Sequence, residues 1–176
     1  MKNLAMLSLL ALITGACAHG RSTTSIATAT MQPISGSSVN GTVRFHALGD
    51  GSVQVKVDLT GVPPGVHGFH VHDNGACGDN GMAAGGHFNP MNADHGAPDA
   101  TPHHAGDFSN LLAPSNGEIH QQFVTRSISV SPGTMSVVGH ALILHASPDD
   151  LLTQPTGNAG GRIACGVVEA AGKGPM

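Results

Sequence analysis

The chain of 176 residues has few of the side chains that proteins use to bind nucleic acids or anionic membranes. It contains no Trp, no Tyr and five Phe, and only 10% of its residues are charged, against about 25% in an average globular chain. Seven Lys and Arg stand against eleven Asp and Glu, which gives a formal net charge of -4 at pH 7. Because nucleic-acid binding needs basic patches and often aromatic stacking surfaces, we expect no nucleic-acid partner.

Several catalytic motifs are also missing from the sequence. It has no H-E-x-x-H, no C-x-x-C, no phosphate-binding loop and no G-x-S-x-G, which argues against zinc proteases, thioredoxin-like proteins, nucleotide hydrolases and α/β-hydrolases. What the chain does have is 12 His, more than all Lys and Arg together, with 25 Gly and 11 Pro. A chain rich in His and poor in other charge favours metal binding.

The N-terminus predicts an exported protein. Lys2 precedes an apolar run over residues 4–13, which is too short to span a bilayer as a helix, and small residues follow it. We therefore predict a signal peptide over residues 1–16 and export to a bacterial periplasm or cell envelope. Cys17 follows Gly-Ala as in a bacterial lipobox, which would anchor the chain to a membrane through a lipidated Cys17. Simple cleavage near Ala18 is the alternative.

The remaining sequence predicts one β-rich domain over residues 26–176, joined by a flexible tether at 17–25. Val53, Val55, Val57 and Leu59 alternate with polar residues, as in a half-buried strand. Short strand patterns of this kind, separated by Gly and Pro turns, recur along the chain and favour a β-sandwich or barrel. Two long stretches, 73–106 and 149–161, have no periodicity and are predicted to be loops.

Histidines concentrate in and after one predicted strand. His70 and His72 would point to the same side of that strand, about 6–7 Å apart, with Val71 facing the core. The long loop adds further ligand types, namely His87, His95, His103, His104 and Asp107. Such residues can close around Zn²⁺ and hold a Gly-rich loop in place. On spacing alone, a polar surface loop remains a competing interpretation.

The order of these motifs resembles that of the copper/zinc superoxide dismutases, in particular the bacterial exported ones. The similarity extends over about residues 26–170. The matching segments are GVHGFHVH at 65–72, GHFNP at 86–90, HG at 95–96, HAGD at 104–107, LH at 144–145 and GNAGGRIACG at 157–166. The resemblance implies an all-β fold, a flattened Greek-key β-barrel of eight antiparallel strands with two long functional loops.

The same resemblance implies one copper and one zinc per chain, with His87 shared as a bridging imidazolate. The copper ligands would be His70, His72, His87 and His145. The zinc ligands would be His87, His95, His104 and Asp107. His103 is the neighbour that would be left over, and Asp149 would hydrogen-bond both His70 and His95. A disulfide would join Cys77 to Cys165, and Arg162 would draw the anion to copper.

The implied function is dismutation of superoxide to O₂ and H₂O₂, with Arg162 and His87 as the catalytic residues. The alternative is a periplasmic copper/zinc-binding or buffering protein without physiological turnover. Members of this family differ in whether they pair, so a homodimer is left open by the sequence. The loop at 146–161 carries only Asp149 and Asp150 as charges and no Lys, so any attraction for an anion would have to be local to Arg162 and the metals.

Overall fold

Alternating apolar and polar residues build eight antiparallel strands in the computed structural model, which describes residues 25–171. The strands are β1 (Ser25–Pro33), β2 (Asn40–Ala47), β3 (Val53–Thr60), β4 (Gly65–His72), β5 (Asp107–Ala113), β6 (Ile119–Thr125), β7 (Ala141–His145) and β8 (Arg162–Ala170). The predicted signal peptide and Cys17 lie outside the described residues, as does the predicted tether up to Ser25, where β1 begins. None of the described helical segments is long and apolar enough to cross a membrane.

The strands form a nearly closed barrel in the order β5-β4-β7-β8-β1-β2-β3-β6. Three connections, from β3 to β4, from β5 to β6 and from β6 to β7, join strands that are not hydrogen-bonded neighbours, as in a Greek-key topology. Phe108 of β5 and Phe123 of β6 lie 5.3 Å apart between ring centroids and pack across the remaining edge. The all-β barrel predicted from the sequence is therefore confirmed.

The barrel interior holds one apolar core. On β3, Val53, Val55, Val57 and Leu59 are all buried while the residues between them are more exposed, as their alternation predicts. They pack with buried residues of the other strands, among them Phe45, Phe69, Ile119, Leu142 and Leu144. This core fixes the strand ends from which the two long loops leave.

Both predicted loops are irregular, and both begin beside the ends of β4 and β7. The first, which precedes β5, contains a single turn of 3₁₀ helix at Met82–Ala84. Strand β5 has no clear sequence signal, since its burial does not alternate. Ser109 has a positive φ of 71°, and the register with β4 shifts between Gly68 and His70. This irregularity breaks the period of two on which strand prediction depends.

Candidate metal centre

Three strands deliver polar side chains to one end of the barrel. His70 and His72 lie on β4, and their ring centroids are 6.3 Å apart. His70 is paired across the sheet with Asp107, the first residue of β5. His145 is the last residue of β7, the other neighbour of β4. Strand pairing alone therefore brings these side chains together, and all of them are buried.

Backbone hydrogen bonds of β4 also hold the long loop before β5 at this end of the barrel. Between His70 and His72, the amide of Val71 donates to the carbonyl of Gly106 (3.0 Å), and its carbonyl accepts from the amide of Phe88 (2.8 Å). These bonds fix the loop residues next to Phe88 and Gly106, which are His87 and the segment from His104 to Asp107. A loop without secondary structure is thus tied to a central strand.

Four histidines form a first donor set, whose ligand atoms all lie within 4.8 Å of one another. They are His70, His72, His87 and His145. His72 Nδ1 donates to the carbonyl of Gly85 (3.0 Å), and His145 Nδ1 donates to the carbonyl of Gly160 (3.2 Å). In the neutral rings both Nε2 atoms are therefore acceptors, yet they face each other at 3.4 Å. A cation between them would satisfy both lone pairs.

The other two rings of this set point unpaired nitrogens to the same space. His70 Nε2 donates to Asp149 Oδ2 (2.7 Å), which leaves Nδ1 as the acceptor, and this Nδ1 is buried without a hydrogen-bond partner. His87 Nε2 is also buried and unpartnered. Since a buried unpaired polar atom is costly, four converging nitrogen lone pairs fit a metal that prefers imidazole, and such a set suits copper.

The second donor set surrounds one carboxylate oxygen, Oδ1 of Asp107. It lies 2.7 Å from His87 Nδ1, 3.1 Å from His95 Nδ1 and 3.2 Å from His104 Nδ1. The Nδ1 atoms of His87 and His104 are 3.5 Å apart. A tetrahedral zinc with bonds of about 2.0 Å places its ligand atoms roughly 3.3 Å from one another. Three nitrogens and one oxygen at these separations fit a closed zinc site.

His87 belongs to both donor sets and faces each with a different nitrogen. Its Nδ1 lies among the ligand atoms around Asp107, and its Nε2 belongs to the four-histidine set. The ring is 4.0 Å from that of His70 and 5.5 Å from that of His104, between centroids. One imidazole could therefore connect two metal ions directly.

Burial and neighbouring carboxylates give the histidines of this centre different pKa values. Loss of solvent lowers the pKa of His72 well below its usual value, that of His145 to about 3 and that of His87 to about 4. These rings are neutral at pH 7 and ready to bind a cation. Burial also works against a charged His95, but the neighbouring carboxylates of Asp107 and Asp149 outweigh this effect and raise its pKa to about 9.

Asp149 hydrogen-bonds one histidine of each donor set. Its Oδ2 accepts from His70 Nε2 (2.7 Å) and its Oδ1 accepts from His95 Nε2 (3.0 Å). Burial would raise the pKa of Asp149, but these two hydrogen bonds hold it well below its ordinary value. The carboxylate is therefore ionised, and it fixes both rings with the opposite nitrogen directed at a metal. Gly157 leaves room for it, because a Cβ there would overlap Oδ1 of Asp149.

Arg162 lies at the edge of the four-histidine set. It is the cross-strand partner of His145, at the point where β7 and β8 change register. Its guanidinium donates to the carbonyl oxygens of Gly81 and Gly85. Two of its five N–H groups are used in these bonds, which leaves three to bind an anion. Burial is the main cause of the lowered pKa of His145, and the charges of His70, His87 and Arg162 contribute in that order.

A disulfide between Cys77 and Cys165 fixes this arginine's surroundings, with an S–S distance of 2.00 Å. It fastens the loop that contains Gly81 to β8, three residues beyond Arg162. The bridge closes a separation of 88 residues, which in the chain-entropy account is worth roughly 4–5 kcal/mol of stability. The disulfide and the two hydrogen bonds of Arg162 thus connect the same loop to β8.

Comparison with known proteins identifies the family. The family model described as copper/zinc superoxide dismutase (SODC) matches residues 39–168. The chain belongs to this family. A solved structure titled "Crystal Structure Analysis of the clock protein EA4" is 38% identical to the chain, with a TM-score of 0.77. The match covers 87% of this chain and 99% of that one. Membership supports a superoxide dismutase type of function in general, together with copper and zinc binding.

The residues that the family resemblance implies as metal ligands come together in the two donor sets described above. Asp149 and Arg162 lie beside these sets. His103 lies outside both sets, with its Nε2 3.3 Å from Ser127 Oγ. The buried His67 has a structural role that the sequence pattern does not predict, since its ring nitrogens lie 2.8 Å from the carbonyl oxygens of His145 and Pro63. Its only signal was its place in the segment before His70.

Proposed function

We propose that the protein catalyses the dismutation of superoxide, in which two superoxide anions and two protons give one O₂ and one H₂O₂. Copper would be held by His70, His72, His87 and His145. Zinc would be held by His87, His95, His104 and Asp107. The observation that carries the proposal is the position of His87, whose two ring nitrogens face the two donor sets. A protein that only stores metal has no need of one ring shared between two ions.

When bound, copper supplies one-electron chemistry between its +2 and +1 states, while zinc supplies fixed positive charge without redox chemistry. His87 is the residue that moves a proton. Its Nε2 would take up one of the two protons in the first half of the reaction and donate it to the product peroxide in the second, while solvent water supplies the other proton. Its Nδ1 stays directed at the zinc donor set, so that the ring does not turn away between the two half-reactions.

Arg162 binds the substrate anion. The side chain of Arg162 is half-buried, and two backbone carbonyls hold its guanidinium in place. Because the side chain is already fixed, its remaining N–H groups can bind an anion with little further loss of side-chain entropy. Because the chain as a whole carries a net charge of -4, it does not attract anions from a distance. Arg162 and the metals would therefore provide the attraction locally and favour superoxide over neutral molecules of similar size.

We also propose that the protein works after export to the periplasm or cell envelope. The disulfide between Cys77 and Cys165 supports this, since such bonds form and persist in oxidising compartments. Lipid attachment at Cys17 would then hold the domain at a membrane. Metabolic labelling with a radioactive fatty acid tests it: the label should appear on the protein and disappear in Cys17→Ser. Labelling that survives this substitution would refute the anchor.

A pair of histidine variants tests the enzymatic proposal. His145→Ala removes a nitrogen from the copper set but none from the zinc set, so it should abolish fast, cyanide-sensitive dismutation while zinc stays bound. His120→Ala is the control, because His120 is exposed on the outer face of β6, and should retain full activity. Bound copper without turnover in the unsubstituted protein would instead support a copper/zinc-buffering function.

A further inference from the structure

Outside both donor sets, one groove is lined by residue types that can bind soft metal ions. Met91, His103 and Met135 line one groove of about 270 Å³, together with Ser127 and small or apolar residues. Met91 and His103 come from the long loop before β5, and Met135 comes from the connection between β6 and β7. Two loops that are far apart in the sequence thus bring two Met residues and one His to the lining of the same groove.

The orientation of His103 suits a ligand. Its Nδ1 lies 2.7 Å from the carbonyl oxygen of His104, and because a carbonyl only accepts, Nδ1 must carry the proton. In the neutral ring Nε2 is therefore left with a lone pair. Metal-binding histidines are typically fixed in this way, with the other ring nitrogen donating to a backbone carbonyl. Within residues 25–171, Nε2 has a hydrogen bond to the Ser127 hydroxyl, and at 3.3 Å this bond is long.

The two methionines are not explained by packing alone. Met91 is 70% exposed, so its side chain adds little to the core, and Met135 is only partly buried against it. Thioether sulfur is a soft ligand that selects Cu(I), whereas hard cations prefer oxygen. No carboxylate lines this groove, so it offers little to Ca²⁺ or Mg²⁺.

We propose that Met91, His103 and Met135 bind one Cu(I) ion, at a site separate from the two histidine-rich sets. The site is nevertheless linked to the zinc donor set by a short path. His103 donates to the carbonyl of His104, and the amide of His104 donates to Asp107 Oδ2 at 3.0 Å. The proposal does not depend on the dismutase function, because it concerns side chains that neither donor set uses.

Methionine methyl NMR tests the site. The protein is first filled with copper and zinc, then titrated without oxygen with Cu(I), or with Ag(I) as a probe that does not change oxidation state. One added equivalent should shift the methyl signals of Met91 and Met135. Met82 provides the internal control, since it is 60% exposed but does not line this groove, and its signal should not move.

Conservative variants complete the test. Met91→Leu with Met135→Leu keeps side-chain volume and should lose the extra equivalent of metal, as should His103→Gln, while Met82→Leu should keep it. An equal shift at Met82, or an extra equivalent that survives in the double variant, would show that thioethers bind the probe without a defined site. Copper and zinc counted before the titration report separately on the two donor sets, so failure of one proposal is not mistaken for failure of the other.

Discussion

His72 and Arg162 share one hydrogen-bond acceptor, the carbonyl oxygen of Gly85. His72 Nδ1 donates to it at 3.0 Å and Arg162 Nη2 at 2.6 Å. The same backbone atom thus sets the tautomer of a proposed copper ligand and the position of the proposed anion-binding group. The disulfide at Cys77 fastens the loop that carries Gly85 to β8, so substrate binding and metal binding depend on one local conformation.

Arg162→Ala should lower the rate of superoxide dismutation by about 10- to 100-fold, since a hydrogen bond to a charged group contributes roughly 1.5–3 kcal/mol. Its copper and zinc content should not change, because the arginine is not a ligand. Arg44→Ala is the matched control: Arg44 pairs with Asp58 on the outer face of β2 and β3. An Arg162→Ala protein that keeps the full rate would remove the arginine from the mechanism.

Asp149→Asn should weaken the binding of both metals by about 10- to 100-fold, as is usual when the partner of a ligating histidine is lost. An amide can accept from only one of His70 and His95 and would direct its N–H₂ at the other. Metal affinities measured by chelator competition check this. Asp150→Asn is the neighbouring control, because within the described residues the Asp150 carboxylate accepts hydrogen bonds from Leu152 and Thr153 and from neither histidine. Loss of a single metal would mean that Asp149 serves one set alone.

Gly157→Ala should disturb both metal sites without touching a ligand. A Cβ at this position would overlap Asp149 Oδ1 and lie 2.6 Å from His95 Nε2, and the backbone there has a φ of +66°. We expect lower occupancy of both metals in Gly157→Ala and normal occupancy in Gly161→Ala, where a Cβ meets nothing within 4 Å. Elemental analysis measures the copper and zinc content of both variants. Normal metal occupancy in Gly157→Ala would contradict the tight fit around Asp149.

Zinc binding to the metal-free protein should release about one proton per ion at pH 7. The pKa of His95 is raised to about 9, so the ring holds a proton below that pH, and zinc must displace it. The release should vanish above pH 9, where His95 is already neutral. Calorimetry in buffers of different ionisation enthalpy measures the number of protons. A release of none at pH 7 would show that His95 is neutral there.

Sequence alone predicts much of this architecture, but not the parts that depend on backbone groups. The alternation at Val53 to Leu59 predicts β3, and the order of the histidine motifs implies the donor residues through their family resemblance. The roles of the Gly81 and Gly85 carbonyls have no such signal, because any residue type supplies a carbonyl. The sequence does not predict strand β5, because its burial does not alternate and Ser109 has a positive φ.

Contacts between distant segments are equally invisible in the sequence. Met91, His103 and Met135 are separated by 12 and 32 positions in the chain, and only the folded barrel shows that they share a groove. His67 is a similar case, because its bonds to the carbonyls of His145 and Pro63 require the pairing of β4 with β7. Such relationships follow from topology, which single-residue patterns do not encode.

The dismutation rate during a copper titration tests the central claim most directly. Copper is added in steps to the zinc-loaded protein, and superoxide decay is followed by pulse radiolysis at each step. The account predicts a rate that rises in proportion to bound copper up to one ion per chain and then stays constant. A protein that binds its full equivalent of copper at the four-histidine set and gains no activity would contradict it.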